Sequence, residues 1–123
     1  MFPVLLVHGI DDTCARFNKM RTSLQAYGYN IIEGLNLIPH DGSIPFSIMG
    51  KQVRDGVRTL LQKTNTAKVD IVAHSMGTLA VRYFLQKLEG HSLVRRFISL
   101  AGPHHGTLTA YFRQNVGCQQ MRP

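Results

Sequence analysis

The feature that most constrains this chain is an alternation of short apolar runs with longer stretches of helical periodicity. The apolar runs have strand length and cover residues 4–7, 30–37, 69–73 and 97–101. Between them, apolar side chains three and four residues apart predict helices over residues 17–27, 48–63 and 76–88. Strands that alternate with helices in this way form right-handed βαβ units around a parallel sheet. The sequence therefore predicts an α/β fold, with a parallel sheet of about four strands and helices on both faces.

Length and composition fit one domain of this kind. The chain has 123 residues, of which 44% are hydrophobic and 17% charged, enough to build an apolar core without disulfides or metal. Cys14 and Cys118 lie far apart in sequence and form no CxxC pair, so neither a redox motif nor a structural zinc site is expected. We predict a single domain over residues 1–123 that uses no metal and no organic cofactor.

The first residues carry no targeting signal. The apolar run meets His8 and Gly9 at once, so it is too short to span a membrane, and it lacks the basic start of a secretory signal. As written, the sequence predicts a cytoplasmic protein, with export left open if the natural chain begins earlier.

The strongest chemical signal is the pentapeptide Ala73-His74-Ser75-Met76-Gly77, between the third strand and the third helix. It is an A-x-S-x-G form of the nucleophile elbow, in which a serine sits on a strained strand-to-helix turn between two small residues. The backbone N–H of Met76 would point at an oxyanion that develops on a substrate. The motif predicts Ser75 as a nucleophile. Helix capping by Ser75 is the alternative that so short a pattern leaves open.

A second signal follows the first strand, at His8-Gly9-Ile10. In α/β architectures with a nucleophile elbow, the loop after this strand supplies the other N–H of the oxyanion hole, and Ile10 is the expected donor. A histidine at this position, on the rim of the site, is more often a structural residue than a base. We therefore expect a structural role for His8.

Three segments in this order resemble landmarks of the α/β-hydrolase lipases. They are residues 4–10 (VLLVHGI), 69–77 (VDIVAHSMG) and 100–107 (LAGPHHGT). They look most like those of small bacterial triacylglycerol lipases and cyanobacterial lipase-like proteins, and the resemblance extends over essentially the whole chain. It implies a serine carboxylic-ester hydrolase in which Ser75 is the nucleophile and the N–H groups of Ile10 and Met76 form the oxyanion hole.

The rest of the family's catalytic triad has no match. In the family an acid and then a histidine follow the serine, yet residues 76–123 contain no aspartate and a single glutamate, Glu89. Glu89 falls at the far end of the third helix, roughly 20 Å from Ser75 at about 1.5 Å per residue, so it is not the triad acid. His104 and His105 follow the fourth strand on the rim where the active site lies. We expect them to shape this rim rather than to act as the base.

The missing acid and base predict an α/β-hydrolase fold that is incomplete at its C-terminal side. Chains of this fold usually run to roughly 200 residues or more. Such a chain would hold the nucleophile and the oxyanion hole and show little activity alone. Its last strand, residues 97–101, would be an exposed apolar edge, so we expect self-association through that edge.

Charge narrows the choice of partners beyond an ester or lipid substrate. Lysine and arginine number 14 against 7 acidic residues, for a net charge of +7. The basic residues are spread around the predicted fold without aromatic interleaving or a nucleic-acid motif, so nucleic-acid binding is not expected. We expect these basic side chains to form a solvated surface; peripheral contact with an anionic lipid interface is the alternative. Two other functions stay open: a non-catalytic binding or assembly module, and an acyltransferase or thioesterase of the same fold.

Overall fold

The computed structural model describes residues 2–8, 18–37 and 45–100 of the chain. The strands are β1 (Val4–Val7), β2 (Ile32–Leu35), β3 (Val69–His74) and β4 (Val94–Leu100). The helices are α1 (Asn18–Ala26), α2 (Phe46–Thr64) and α3 (Met76–Lys87), with a 3-10 turn at Gly90–Ser92. The predicted alternation of strands and helices is confirmed.

The strands form one parallel sheet in the order β2-β1-β3-β4. The two central strands, β1 and β3, are buried along almost their whole length, as expected for strands covered on both faces. Val7 at the end of β1 pairs with Ala73 near the end of β3. The residues that follow these two strands therefore meet at one rim of the sheet.

Helices cover both faces of the sheet, each over its own apolar core. On one face α2 and α3 bury side chains of β1 and β3 together with their own; these include Leu5, Val7, Val69, Ile71, Met49, Val53, Val57, Ala80 and Phe84. On the other face α1 contributes Met20 and Leu24, which pack against Val4, Leu6, Ile32 and Val72. The predicted fold class, a four-stranded parallel sheet with helices on both faces, is confirmed.

The last strand, β4, begins three residues earlier than its apolar pattern predicts. Arg95 and Arg96 concealed its start, because charged residues are not typical of a buried strand. In the structure Arg95 pairs with Asp70 of β3 through two contacts, Nε to Oδ1 at 3.0 Å and Nη2 to Oδ2 at 2.5 Å. Its guanidinium also lies 4.6 Å from the centre of the Phe2 ring. The hydrogen bond to Asp70 and the charge of that carboxylate raise the pKa of Arg95.

Just beyond α3, Glu89 adopts a left-handed conformation with φ 59°, and Gly90 opens the following 3-10 turn. A Cβ at Gly90 would lie 2.5 Å from Cε2 of Phe84. Packing against this buried ring, rather than backbone conformation, therefore explains the glycine.

The other boundaries differ from the predicted ones by at most two residues. The strand β2 is two residues shorter at each end, and α2 begins at Phe46, directly after Pro45, instead of at residue 48. A proline suits the start of a helix because its missing N–H would have no partner there. Among the described helices, none combines the length and apolarity that crossing a membrane requires.

Candidate active site

Ser75 lies on the turn between β3 and α3 in a strained backbone conformation, with φ 53° and ψ −124°. A residue with a Cβ adopts such a conformation at a cost of about 1–3 kcal/mol, so the surrounding structure must impose it. The Ser75 N–H donates to the carbonyl of Leu100 at 2.9 Å, and the Ser75 carbonyl accepts from the Thr78 N–H at 3.0 Å. Backbone hydrogen bonds from β4 and from the first turn of α3 therefore hold the turn on both sides.

Gly77 allows α3 to begin directly against the end of β1. A Cβ at Gly77 would lie 2.0 Å from the carbonyl oxygen of His8 and 3.0 Å from that of Val7. Real Cβ atoms essentially never approach another atom within 3.0 Å. The other small residue of the pentapeptide, Ala73, is fully buried in the core. The close approach that the elbow motif predicts at position 77 is thus present in the structure.

The hydroxyl of Ser75 is not used to cap the helix. Within the described part of the chain, no hydrogen bond joins this side chain to the first N–H groups of α3. Ser75 is also partly exposed, as a group that must meet a substrate has to be. The alternative that serine stands here as a helix cap is therefore not supported by the structure.

Met76 is the first residue of α3, and its N–H lies at the positive end of the helix dipole. The first N–H groups of a helix have no partner within it, so they are free to bind an anion. The Met76 side chain is fully buried in the core beneath the helix, which fixes the backbone of this residue. These features suit an N–H that stabilises a developing oxyanion.

His8 follows β1 directly and is fully buried. Its Nε2 accepts a hydrogen bond from the backbone N–H of Leu37 at 2.6 Å. Leu37, two residues beyond β2, is buried as well. The ring of His8 is thus buried at the end of β1, and its Nε2 accepts a backbone hydrogen bond.

The remaining predicted site residues, Ile10, His104 and His105, lie outside the described residues. Within the described residues, 2–8, 18–37 and 45–100, no group of three His, Cys, Asp or Glu side chains is placed to hold a metal ion.

Two supports of the elbow could not be found from the sequence. The Leu100 carbonyl that accepts from Ser75 is a backbone group, and residue type does not reveal its position. The Ser99 hydroxyl donates to that of the fully buried Thr78 over a long 3.4 Å contact. The only signal for this second contact is a polar residue in the apolar run of β4.

Known proteins match this chain over nearly its whole length. Residues 3–122 match the family model described as palmitoyl protein thioesterase. The chain is 29% identical over 121 residues to a triacylglycerol lipase of Pseudarthrobacter phenanthrenivorans, a match that covers 94% of this chain and 37% of the lipase. A triacylglycerol lipase of Burkholderia plantarii is also 29% identical over 121 residues, with 94% and 33% covered. The mature form of Bacillus licheniformis lipase BlEst2 superposes with a TM-score of 0.86 at 21% identity, covering 98% of this chain and 54% of that structure.

The chain spans about a third of the length of the curated relatives that it matches, 37% and 33% for these two lipases. The likeness to the solved lipase structure shows a shared α/β-hydrolase fold. Since the family model covers nearly every residue, from 3 to 122, the chain belongs to the palmitoyl protein thioesterase family and shares its fold with the α/β-hydrolase lipases.

Proposed function

We propose that this chain carries the nucleophile and the oxyanion hole of a serine hydrolase that cleaves carboxylic esters of lipid type. One observation carries the proposal: Ser75 holds φ 53° on a turn where Gly77 lies against the backbone of β1. Strain of this kind persists where the fold over-determines it, and it concentrates at active sites. The names of the relatives, triacylglycerol lipases, support an ester substrate.

In this proposal the reaction proceeds through an acyl-enzyme on Ser75. Ser75 Oγ attacks the carbonyl carbon of the ester, and its proton passes to a general base. The negative charge that develops on the carbonyl oxygen is stabilised by the N–H groups of Met76 and Ile10. The tetrahedral intermediate expels the alcohol, which takes up the proton, and leaves an acyl group on Ser75 that water then removes. Each oxyanion-hole donor contributes about 10²–10³ to the rate in enzymes of this type.

The base and its acid partner come, in this proposal, from outside the described residues. Nε2 of His8 already accepts from Leu37, and His91 lies beyond the far end of α3, with Nδ1 3.4 Å from the carbonyl of Leu85. In α/β-hydrolases the acid and the histidine follow the serine along the chain. Removing the base of a serine protease lowers kcat by about 10⁶, so slow turnover is expected of the 123-residue chain alone.

The test is the reaction of Ser75 itself. The purified chain, Ser75→Ala and Ser92→Ala are incubated with a fluorophosphonate probe and, separately, with a short-chain p-nitrophenyl ester. Ser92 is an exposed serine whose hydroxyl contacts only the Glu89 carbonyl among the described residues, so its variant is a matched control. We expect slow labelling of the parent and of Ser92→Ala, because no base is identified among the described residues, and none of Ser75→Ala. Equal labelling of all three proteins would refute a nucleophilic Ser75 and favour a non-catalytic module on the same scaffold.

A thioesterase is the second candidate, and the match of residues 3–122 to the palmitoyl protein thioesterase model favours it. The same nucleophile and oxyanion hole serve both reactions, because the oxyanion forms on the same carbonyl oxygen. Turnover of an ester and a thioester with the same acyl chain separates the two: an excess of thioester hydrolysis, corrected for the uncatalysed rates, would assign the thioesterase.

We also propose that the outer edge of β4 mediates self-association. In the described sheet β4 has one neighbour, β3, and Ile98 on it is 52% exposed. Unpaired backbone groups beside exposed apolar side chains are a template for a second strand. Ile98→Lys should lower the mass seen by light scattering at tens of micromolar, whereas Ile48→Lys, on α2 with 45% exposure, should not. A monomeric parent chain would refute this.

Peripheral contact with lipid is a further proposal, supported by the net charge of +7. Sedimentation with phosphatidylglycerol vesicles, compared with phosphatidylcholine vesicles, tests it; equal binding to both would contradict attraction by charge.

A further inference from the structure

The backbone of Ser75 depends on an acceptor at the end of β4. The Ser75 N–H donates to the carbonyl of Leu100 at 2.9 Å, and this bond helps to hold φ at 53°. Leu100 is the last residue of β4, and in the described sheet β4 has a single neighbour, β3. The ends of such strands open more easily than the middle of a sheet. A contact that holds the end of β4 against the first turn of α3 therefore also holds Ser75.

A pair of hydroxyl groups joins the same two segments. Oγ of Ser99, the residue before Leu100, lies 3.4 Å from Oγ1 of Thr78 in the first turn of α3. The Thr78 N–H in turn donates to the Ser75 carbonyl at 3.0 Å. These contacts close a ring that runs from Ser75 through Leu100 and Ser99 to Thr78 and back. A displacement at the hydroxyl pair therefore reaches both backbone hydrogen bonds of Ser75.

The burial of Thr78 gives its hydroxyl a reason to hold this contact. Thr78 is fully buried, whereas Ser99 is exposed. A hydroxyl group removed from water is unfavourable unless it finds a hydrogen-bond partner, and within the described part of the chain the partner is Ser99. The contact is longer than the usual distance of about 2.5–3.0 Å between hydroxyl oxygens, so its contribution is small. Packing alone does not require the hydroxyl, because valine has the same shape without a polar group.

We propose that Thr78 is a positioning residue for the nucleophile: through Ser99, its hydroxyl keeps the Leu100 carbonyl in place to accept the Ser75 N–H. This rests on the proposed function, because it takes Ser75 to be the nucleophile. The proposal assigns the role to the hydroxyl of Thr78 and not to its methyl group. Thr78 acts through the backbone of the elbow and takes no part in proton transfer.

The test uses complementary substitutions in the full chain. Thr78→Val keeps the shape of the side chain and removes the hydroxyl, whereas Thr78→Ser keeps the hydroxyl and removes the methyl group. Ser99→Ala removes the partner at an exposed position. Thr64→Val is the matched control, because the Thr64 hydroxyl also donates a hydrogen bond, to the Leu60 carbonyl at 2.7 Å, but at the C-terminal end of α2.

Two measurements separate positioning from stability. Hydrogen exchange of the Ser75 amide, followed by NMR, reports opening of its bond to Leu100. Dividing its protection by that of the buried Ile71 amide in β3 removes any change in global stability. The rate of fluorophosphonate labelling at Ser75, normalised to the folded fraction from circular dichroism, reports the reactivity of the nucleophile.

We expect Thr78→Val and Ser99→Ala each to lower the relative protection of the Ser75 amide and the labelling rate by about two- to fivefold, the lower part of what one hydrogen bond contributes. Thr78→Ser should stay close to the parent in both measurements. The double variant Thr78→Val/Ser99→Ala should be no more impaired than either single variant, because both changes break the same contact. Thr64→Val should leave both measurements unchanged.

Several results would overturn the proposal. A folded Thr78→Val with the parent's relative protection and labelling rate would do so, as would a Thr78→Ser protein as impaired as Thr78→Val. If Thr78→Val does not fold, Ser99→Ala decides, and unchanged protection of the Ser75 amide in that variant would overturn the proposal. If the parent labels no faster than Ser75→Ala, the proposed function fails instead, while the exchange of the Ser75 amide still decides whether Thr78 holds this backbone.

Discussion

Gly77→Ala is the substitution that most directly tests how the elbow is built. It adds one methyl group to the first turn of α3, at a point where the added carbon would lie 2.0 Å from the carbonyl oxygen of His8. Alanine is ordinarily the better helix residue, by about 1 kcal/mol. An increase in stability is therefore expected unless the contact with β1 prevents it.

The structure predicts a net loss. Relief of the contact requires the start of α3 and the end of β1 to separate by about 1 Å, since Cβ atoms essentially never approach within 3.0 Å. Both partners are backbone, and both are anchored, His8 by Leu37 and Met76 by the core. Overpacking costs about 1–3 kcal/mol or more, and a lost buried hydrogen bond adds about 1 kcal/mol. After subtraction of the helix gain we expect destabilisation by about 2 kcal/mol, or a Tm lower by about 8 °C or more.

Gly56→Ala is the matched control, because it also adds a methyl group to a helical glycine. The three atoms nearest its Cβ would all belong to the Leu35 side chain, and Cδ1 would be the nearest, at 3.0 Å. This flexible end can move into the adjoining groove of about 440 Å³ between β2 and α2. We expect Gly56→Ala to be neutral or stabilising by up to about 1 kcal/mol. Thermal melts followed by circular dichroism give the Tm of both variants. A Tm of Gly77→Ala equal to or above that of Gly56→Ala would refute the close approach.

Three further comparisons test other parts of the structure. Ser75→Gly should melt above Ser75→Ala, because removing the Cβ relieves about 1–3 kcal/mol of strain and adds only about 0.5–1 kcal/mol of chain entropy; the reverse order would show that no strain is stored at this turn. Arg95→Met leaves the largely buried Asp70 carboxylate without its partner and should cost about 1–3 kcal/mol in urea unfolding. Adding Asp70→Asn should recover part of this loss, and no recovery would contradict the pairing. Lys63→Met breaks an exposed ion pair with Glu33 and should change stability by less than about 1 kcal/mol at any salt concentration, a limit that urea titrations in low and high salt would check.

Sequence patterns locate best those elements whose residue types are set by their immediate surroundings. β1 and β3 are continuous apolar runs because both faces are covered, and the pentapeptide 73–77 needs small residues because helix and strand meet there. The class of fold and the position of the elbow could therefore be predicted without a structure.

The features that escaped prediction depend on partners distant in the chain. The start of β4 is concealed by Arg95, whose presence in a strand makes sense only once Asp70 is beside it. Likewise the partner of His8 is a backbone N–H 29 residues away, and that of Ser75 is a backbone carbonyl. Side-chain identity carries no information about such contacts, since every residue other than proline offers the same donor and acceptor.

The hydrogen bond from Ser75 to Leu100 has a consequence for synthesis on the ribosome. The serine's strained backbone is held in part by a residue that is added 25 positions later. At about 5–20 residues per second, this interval lasts roughly 1–5 s. During it the nascent chain lacks one of the bonds that hold the left-handed turn, so we expect Ser75 to relax toward an ordinary conformation and to react poorly with electrophiles. The nucleophile would mature only when β4 docks, after the helix behind it is complete.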